Sequence, residues 1–458
     1  MIKQEPYAFE IKDRKEVDEK MNKMIRSTVK LAYEHSPFWK RKFDALNIKP
    51  SDITDQDSLL KANKKGLTVS DQELINELNY LATDFVGDSY IEELWTSGTR
   101  GRPKRMLYGP YDIKRSNEQI QLAYNAMGLS TGDYVLNLFS PYPYASGPLS
   151  LACARYMKLH SLKISSPIST DGLLQTIKIG NPKSLFIAAN RARQVAQESE
   201  SFGEKLNNLG IETVFTGGET CTKEKQDKIS DEWGADTFDT WASTELSAFG
   251  YQTKDCNQNT MHIAENRVFL NIVDPATLDP VSKEERGVDL VSTLYDVGEK
   301  PAMILLGYSH GDSSKVIDSI RCNCGRTYKQ VAWPIDRSDE VVKMAMHNIF
   351  PVSGTESAIV GSPFLTGEFC CKYVEPKELM RRQSLEIRVE TKMNIPEDEK
   401  CKLTDKILKY VISDPATHEI IMSQAIFSIE FVDKGRIYFG WEDYLRPKRA
   451  KPLRLIKV

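Results

Sequence analysis

LWTSGTRGRPKRM, residues 94–106, decides how the rest of this 458-residue chain is read. A strand-like start (Leu94, Trp95) runs into Thr96, Ser97, Gly98, Thr99, Arg100, Gly101, Arg102, Pro103 and Lys104. Glycines let successive backbone N–H groups curl round an anion, hydroxyls add donors, and Lys104 with the neighbouring arginines supplies positive charge. The stretch has the chemistry of a phosphate loop. It is not the G-x-x-x-x-G-K-[ST] loop, because no Gly-Lys-Ser/Thr ends it. The bland alternative is a polar surface turn.

The flanks set the fold class. Downstream, YVLNLF (134–139), SLFIA (184–188) and TVFTGG (213–218) are short apolar strands separated by helical patterns at 114–127 and 222–233. Strand and helix in alternation imply an α/β fold with a mostly parallel sheet. Residues 266–295 read as antiparallel strands around a Pro/Asp turn, so a second kind of sheet joins the first. Upstream, Val17, Met21, Met24, Ile25, Thr28, Leu31 and Ala32 recur at three- and four-residue spacing, an amphipathic helix over 14–34. After PIDRSDEVVKM (334–344) the pattern becomes strand, helix, strand: a small α+β tail. A large domain over 1–336 and a small one over 337–458 follow.

Charge is balanced, with 61 Lys+Arg against 64 Asp+Glu and a net charge of −3. That removes the main argument for nucleic acid, whose binders carry a basic excess or stripe. The start, MIKQEPYAFEIKDRKEVDEK, lacks the apolar run of a signal peptide, and no stretch reaches the roughly 18 apolar residues of a membrane span. A cytoplasmic enzyme with no nucleic-acid or membrane partner is the expectation. Of eight cysteines, Cys153, Cys221, Cys370, Cys371 and Cys401 read as buried thiols. Cys322 and Cys324 form a tight pair in RCNCGRT, and Cys256 stands six residues before His262 in DCNQNTMH. Two short pairs of soft ligands suggest a closed tetrahedral Cys₃His zinc site; the alternative is a chance pair in a turn. His160 and His310 show no partner and read as structural.

Residues 94–106 resemble the phosphate loop of the adenylate-forming enzymes (acyl-CoA synthetases, peptide-synthetase adenylation domains, luciferases), written [ST]SGT[TS]G-x-PK. Arg100 replaces a small hydroxyl residue. Further resemblances follow in that superfamily's order: TVFTGGET (213–220), DTWASTE (239–245) with Ala242 for glycine, LLGYSHGD (305–312) with Ser309 and His310 for Arg-Thr, and DRSDEV (336–341) with Asp336 for glycine. HSPFWKRKFDALNIKPSDI, CNCGRT, RSDE and NIFP (348–351) are similar to phenylacetate–CoA ligases and their relatives, in which a Cys, a His and the C-x-C pair hold zinc.

The resemblance implies a large α/β domain with mixed sheets plus a small mobile α+β domain, and ATP-dependent adenylation of a carboxylic acid, aryl or small organic, to acyl-AMP and pyrophosphate. Thr96, Ser97, Gly98, Thr99, Gly101 and Lys104 would cradle phosphates. Thr244 and Glu245 end the ATP-binding motif, with Glu245 on Mg²⁺, and Trp241, Gly217, Gly218 and Glu219 would frame adenine. Asp312 would accept from the ribose hydroxyls, Arg337 would contact ribose or phosphate, and Asp339 would be the hinge. The family's C-terminal catalytic lysine falls on Lys451, with Lys448 its rival. In SPYPYASGP (140–148), Tyr142, Tyr144 and Gly147 would line the acyl pocket. The zinc ligands would be Cys256, His262, Cys322 and Cys324. Coenzyme A is the acceptor the resemblance implies. Ala345-Met346, standing where relatives carry Arg-Gly, points instead to an amine or a carrier-protein thiol, and the altered motifs allow a relative that binds without turnover. Relatives often pair, which implies a homodimer.

Overall fold

Asp13 accepts a hydrogen bond from the Lys15 N–H and starts the first long helix, Arg14–His35. Its apolar stripe buries Val17, Met21, Met24, Ile25, Thr28, Val29 and Ala32, while Leu31, expected on that stripe, is only partly buried. This computed structural model describes residues 9–96, 102–164, 168–254, 256, 259–282, 285–317, 322–344, 347–375, 382–412, 415–438, 441 and 454–458. The chain forms two compact units, Met1–Cys221 with Ile229–Ile335, and Thr222–Lys228 with Asp336–Val458.

In the first unit, β1 (Glu92–Trp95) and β2 (Arg105–Tyr108) make an antiparallel hairpin across the glycine-rich segment. A nine-stranded sheet follows, built from β3 (Tyr134–Asn137), β4 (His160–Lys163), β5 (Ser184–Phe186), β6 (Thr213–Gly217), β7 (Asp236–Ser243), β8 (Ser247–Tyr251) and β9 (Thr260–Ile263). A separate antiparallel ladder comprises β10 (Val268–Val273), β11 (Gly287–Thr293) and β12 (Asp312–Ser314), the first two flanking the expected turn. The large sheet is completed by β13 (Val316–Ile317) and β14 (Gln330–Ala332), in the order β13-β14-β9-β8-β7-β6-β5-β3-β4.

From β4 to β7 every pairing is parallel. Strands β5 and β6 are almost wholly buried, which is why they read as continuous apolar runs. Beyond β7 every pairing is antiparallel, so the sheet is mixed rather than mostly parallel. The reason is local: the chain reverses directly after Ser243 and reaches β8 with Ser247 at φ +65°, leaving no room for a crossover helix.

The second unit has a four-stranded sheet in the order Ile426–Val432, Ser384–Thr391, Leu365–Val374, Leu455–Lys457. Its helices include Pro351–Ile359 and Glu397–Ile412. These two approach at Gly354, where an added Cβ would stand 2.6 Å from Val411 Cα. Gly354→Ala is therefore expected to cost about 1–3 kcal/mol through overpacking, read as a lower unfolding midpoint of the full chain; an unchanged midpoint would contradict this packing. Cys153, Cys221, Cys370 and Cys371 are buried as expected, but Cys401 is exposed. It precedes the buried stripe Leu403, Ile407 and Val411 by two residues, which turns it to the opposite face. Among the described residues, no helix is long and apolar enough to cross a membrane.

Candidate functional site

Thr96 and Lys104 clasp the two ends of the glycine-rich loop. The Lys104 N–H donates to Thr96 Oγ1 (2.9 Å) and the Thr96 N–H donates to Lys104 O (3.0 Å). Ser97, Gly98, Thr99 and Gly101 lie outside the described residues. The Lys104 ammonium then enters a ring of polar groups: Glu245 Oε1 at 2.6 Å, Asp71 Oδ1 at 2.8 Å and the Tyr308 hydroxyl at 2.9 Å. Tyr308 accepts from Lys104 and lies 2.8 Å from both carboxylates, donating its proton to one of them. Glu245 is buried. Burial alone would push its pKa up and that of Lys104 down; their mutual attraction outweighs this and shifts both the other way. The backbone helps to aim Glu245, because the Thr244 carbonyl accepts from Tyr108 OH at 2.7 Å.

Tyr308 is also fixed through its main chain, which bridges Val291 of β11. Four residues on, Asp312 is buried, and its Oδ2 accepts from Trp241 Nε1 at 2.7 Å. His310 is wedged between two carboxylates: Nδ1 meets Asp289 Oδ2 and Nε2 lies 3.1 Å from Asp312 Oδ2. Gly311, at φ +81°, makes the left-handed turn that brings the Asp312 N–H back to Asp289 Oδ1 at 2.9 Å. The sequence reading left His310 without a partner; the ladder supplies two, from strands where no spacing rule could place them. Asp71, Tyr308 and Asp289 were also missed. Asp71 opens the helix Asp71–Asn76, directly after Ser70, which forms a capping box with Glu73.

Gly217 ends β6, and Gly218 turns out of it at φ +80°. Glu219 accepts from the Asn190 N–H (2.6 Å) and from Asn190 Nδ2 (3.0 Å). Trp241 is buried, with Phe249 and His310 centroids at 4.6 and 6.0 Å. In the proposed acyl segment the Gly147 N–H donates to Ser140 O, Tyr144 bridges Trp95, and Tyr142 is 59% exposed. In the second unit Arg337 Nε lies 3.7 Å from Asp339 Oδ1. Lys448, Lys451, Ala345 and Met346 lie outside the described residues.

On the first unit Cys256, His262, Cys322 and Cys324 converge, their four ligand atoms all within 4.8 Å of one another. Cys256 Sγ is 3.2 Å from both Cys322 Sγ and His262 Nε2, and Cys324 Sγ is 3.4 Å from Nε2. The other ring nitrogen, His262 Nδ1, lies 3.0 Å from Tyr328 O. A hydrogen bond there fixes the tautomer that offers Nε2 as a ligand, so the donor set fits a zinc ion.

No family model matches the chain. It is 22% identical over 342 residues to phenylacetate–coenzyme A ligase of Thermus thermophilus, covering 74% of each chain. Against the Escherichia coli K12 phenylacetate–coenzyme A ligase it is 22% identical over 392 residues, 84% of this chain and 85% of that one. Among solved structures it resembles 2-hydroxyisobutyryl-CoA ligase in its postadenylation state with 2-HIB-AMP. The TM-score is 0.78 at 18% identity, over 99% of this chain and 92% of that one. The anthranilate CoA ligase AuaEII with anthranoyl-AMP gives 0.55 at 17% identity, over 74% and 63%. The fold is that of the adenylate-forming enzymes. In sequence, the chain is similar to phenylacetate–CoA ligases.

Proposed function

We infer that this chain is an ATP-dependent ligase that activates a carboxylic acid as its acyl-AMP and passes the acyl group to coenzyme A. The observation that carries this reading is the Lys104–Glu245 ring, set beside Asp312 through Tyr308 and His310, whose rings stack 6.2 Å apart. Motif residues distant in sequence thus form one buried, charged site.

Lys104 and the loop N–H groups would hold the β- and γ-phosphates, and Asp312 the ribose hydroxyls. Glu245, a hard oxygen donor, would bind Mg²⁺ with Thr244 beside it; bound there, the ion neutralises phosphate charge. Lys104 exchanges Glu245 for phosphate when ATP enters, while Asp71 and Tyr308 keep its ammonium in place. The acid's carboxylate oxygen forms a bond to the α-phosphorus as the α–β bridging bond breaks and pyrophosphate leaves. Lys451, with Lys448 as its rival, would neutralise charge at that centre, Arg337 would contact ribose or phosphate, and Asp339 would serve as hinge. A thiol then attacks the acyl carbon, losing its proton as AMP leaves. Cys256, His262, Cys322 and Cys324 would hold a structural zinc ion that cross-links their segments and takes no part in these steps. The same resemblance carries pairing into homodimers, and a cytoplasmic setting remains the expectation from the sequence.

Ala345-Met346 favours a second reading, in which a methionine stands in the thiol path and the acceptor is an amine or a carrier-protein thiol. Trapping with hydroxylamine across aryl and small organic acids, with and without coenzyme A, separates the cases. Hydroxamate formed with an acid, with acyl-CoA appearing when coenzyme A is present, is the expected result. Hydroxamate without acyl-CoA selects the second acceptor class. No hydroxamate from any acid overturns the adenylation reading and leaves a binding protein.

A further inference from the structure

We propose that His310 is a positioning residue that holds the Asp312 carboxylate in the orientation needed by the nucleotide ribose, with Asp289 as the group that keeps the imidazole charged. This rests on the nucleotide reading of Asp312 given above.

Three observations carry it. First, the ring is buried, and both nitrogens face carboxylate oxygens, Asp289 through Nδ1 and Asp312 through Nε2. A neutral imidazole has one N–H and can donate to only one of them; the cation donates to both. Second, Asp289 is fully buried and anchored independently of the ring. Its carboxylate also accepts from the N–H groups of His310 (3.3 Å) and Asp312 (2.9 Å) and lies 3.4 Å from Ser309 Oγ. The turn around the ring is thus built on one carboxylate. Third, Asp312 Oδ2 accepts from Trp241 Nε1 of β7 and lies 3.1 Å from His310 Nε2, so a hydrogen bond and an ion pair hold the carboxylate from two sides.

The charged and titratable groups around the ring are Asp289 on β11, Asp312 on β12, Glu245 after β7, and Tyr308 on its own segment. Trp241 and Phe249 supply apolar walls. Burial works against the charged ring, but Asp289, then Asp312, outweigh it and push its pKa up to about 10. The ion pair between Nε2 and Asp312 therefore persists across the neutral range and is lost as pH rises through that value. Asp289→Asn removes the larger counter-charge and should bring the loss down towards the ordinary histidine range.

The test reads binding rather than turnover. Calorimetry with ATP and with 2′,3′-dideoxy-ATP is run on the full chain and on His310→Leu and His310→Gln. The leucine variant should weaken ATP about tenfold, roughly 1.4 kcal/mol, and barely change the dideoxy compound, which lacks the hydroxyls Asp312 would accept. Glutamine, which keeps a donor, should recover most of the loss. Equal weakening of both nucleotides means a general packing effect and overturns the proposal, as does no change in either. Nitrogen-15 spectra of the histidine rings at about pH 8 give a readout independent of ATP: both His310 nitrogens should be protonated. A ring that titrates near its ordinary value of about 6.5 also overturns it. Failure of the unmodified chain to bind ATP, with His310 still doubly protonated, instead condemns the nucleotide reading of the site.

Discussion

Glu245→Gln is expected to lower acid-dependent pyrophosphate exchange by two to three powers of ten while leaving the protein folded. The change keeps shape and removes only charge, and losing one preorganised electrostatic contact at a reacting phosphate costs about 2.7–4 kcal/mol. Lys104 keeps Asp71 at 2.8 Å, so its ammonium is not left bare. Lys104→Met is a different case. It strands the buried Glu245 carboxylate without its cation, and breaking a buried pair from one side costs about 3–5 kcal/mol. The two variants should therefore separate: lost exchange with near-normal stability for Glu245→Gln, and loss of both for Lys104→Met. Glu245 is held below its ordinary carboxylate pKa by Lys104 against the cost of burial. Its stabilisation is present above about pH 4.5 and drains away as pH falls through the folded value. Acid titration of unfolding should show Glu245→Gln lacking that component. Exchange at the unmodified rate in Glu245→Gln would remove Glu245 from the site.

The second large effect lies at the Cys₃His cluster. About one zinc per chain is expected, and less than about half rejects the assignment. Structural zinc contributes an apparent 10–16 kcal/mol in small zinc-folded peptides, so Cys322→Ser or strong chelation should lower the unfolding midpoint steeply. The structure says where the loosening starts. The residues after the C-x-C pair hold the N-terminal segment: Arg326 Nε donates to Glu10 Oε1 at 3.0 Å, and the Thr327 N–H donates to Glu10 O at 2.8 Å. Tyr251 OH bonds to the same Glu10 carboxylate. Hydrogen exchange should therefore quicken at residues 9–14 together with 322–328. Protection unchanged in Cys322→Ser would show that the loop holds itself.

The apolar strands and the soft-ligand pairs were legible because each depends on local spacing. The Cys₃His cluster was legible although its halves are 66 residues apart, because Cys and His in short pairs have few other uses. The ring around Lys104 was only half legible. Tyr308 is 204 residues away and Asp71 is 33, and neither residue type advertises a partner at that range. Asp289 hides inside an apolar strand pattern, where a single acid looks like an exposed face. Without Asp289, His310 looked idle. The antiparallel half of the large sheet was not legible from strand–helix alternation, because β8 and β9 follow β7 without an intervening helix and strand direction depends on the tight reversal after Ser243.

The central claim is that the Lys104–Glu245–Asp312 site activates a carboxylic acid with ATP. Exchange of labelled pyrophosphate into ATP, measured with and without each acid of a broad aryl and alkyl panel, tests it most directly. Exchange that appears only with particular acids and fails in Glu245→Gln is the predicted result. A chain that binds ATP with its affinity dependent on Lys104, yet exchanges no pyrophosphate with any acid, would contradict it.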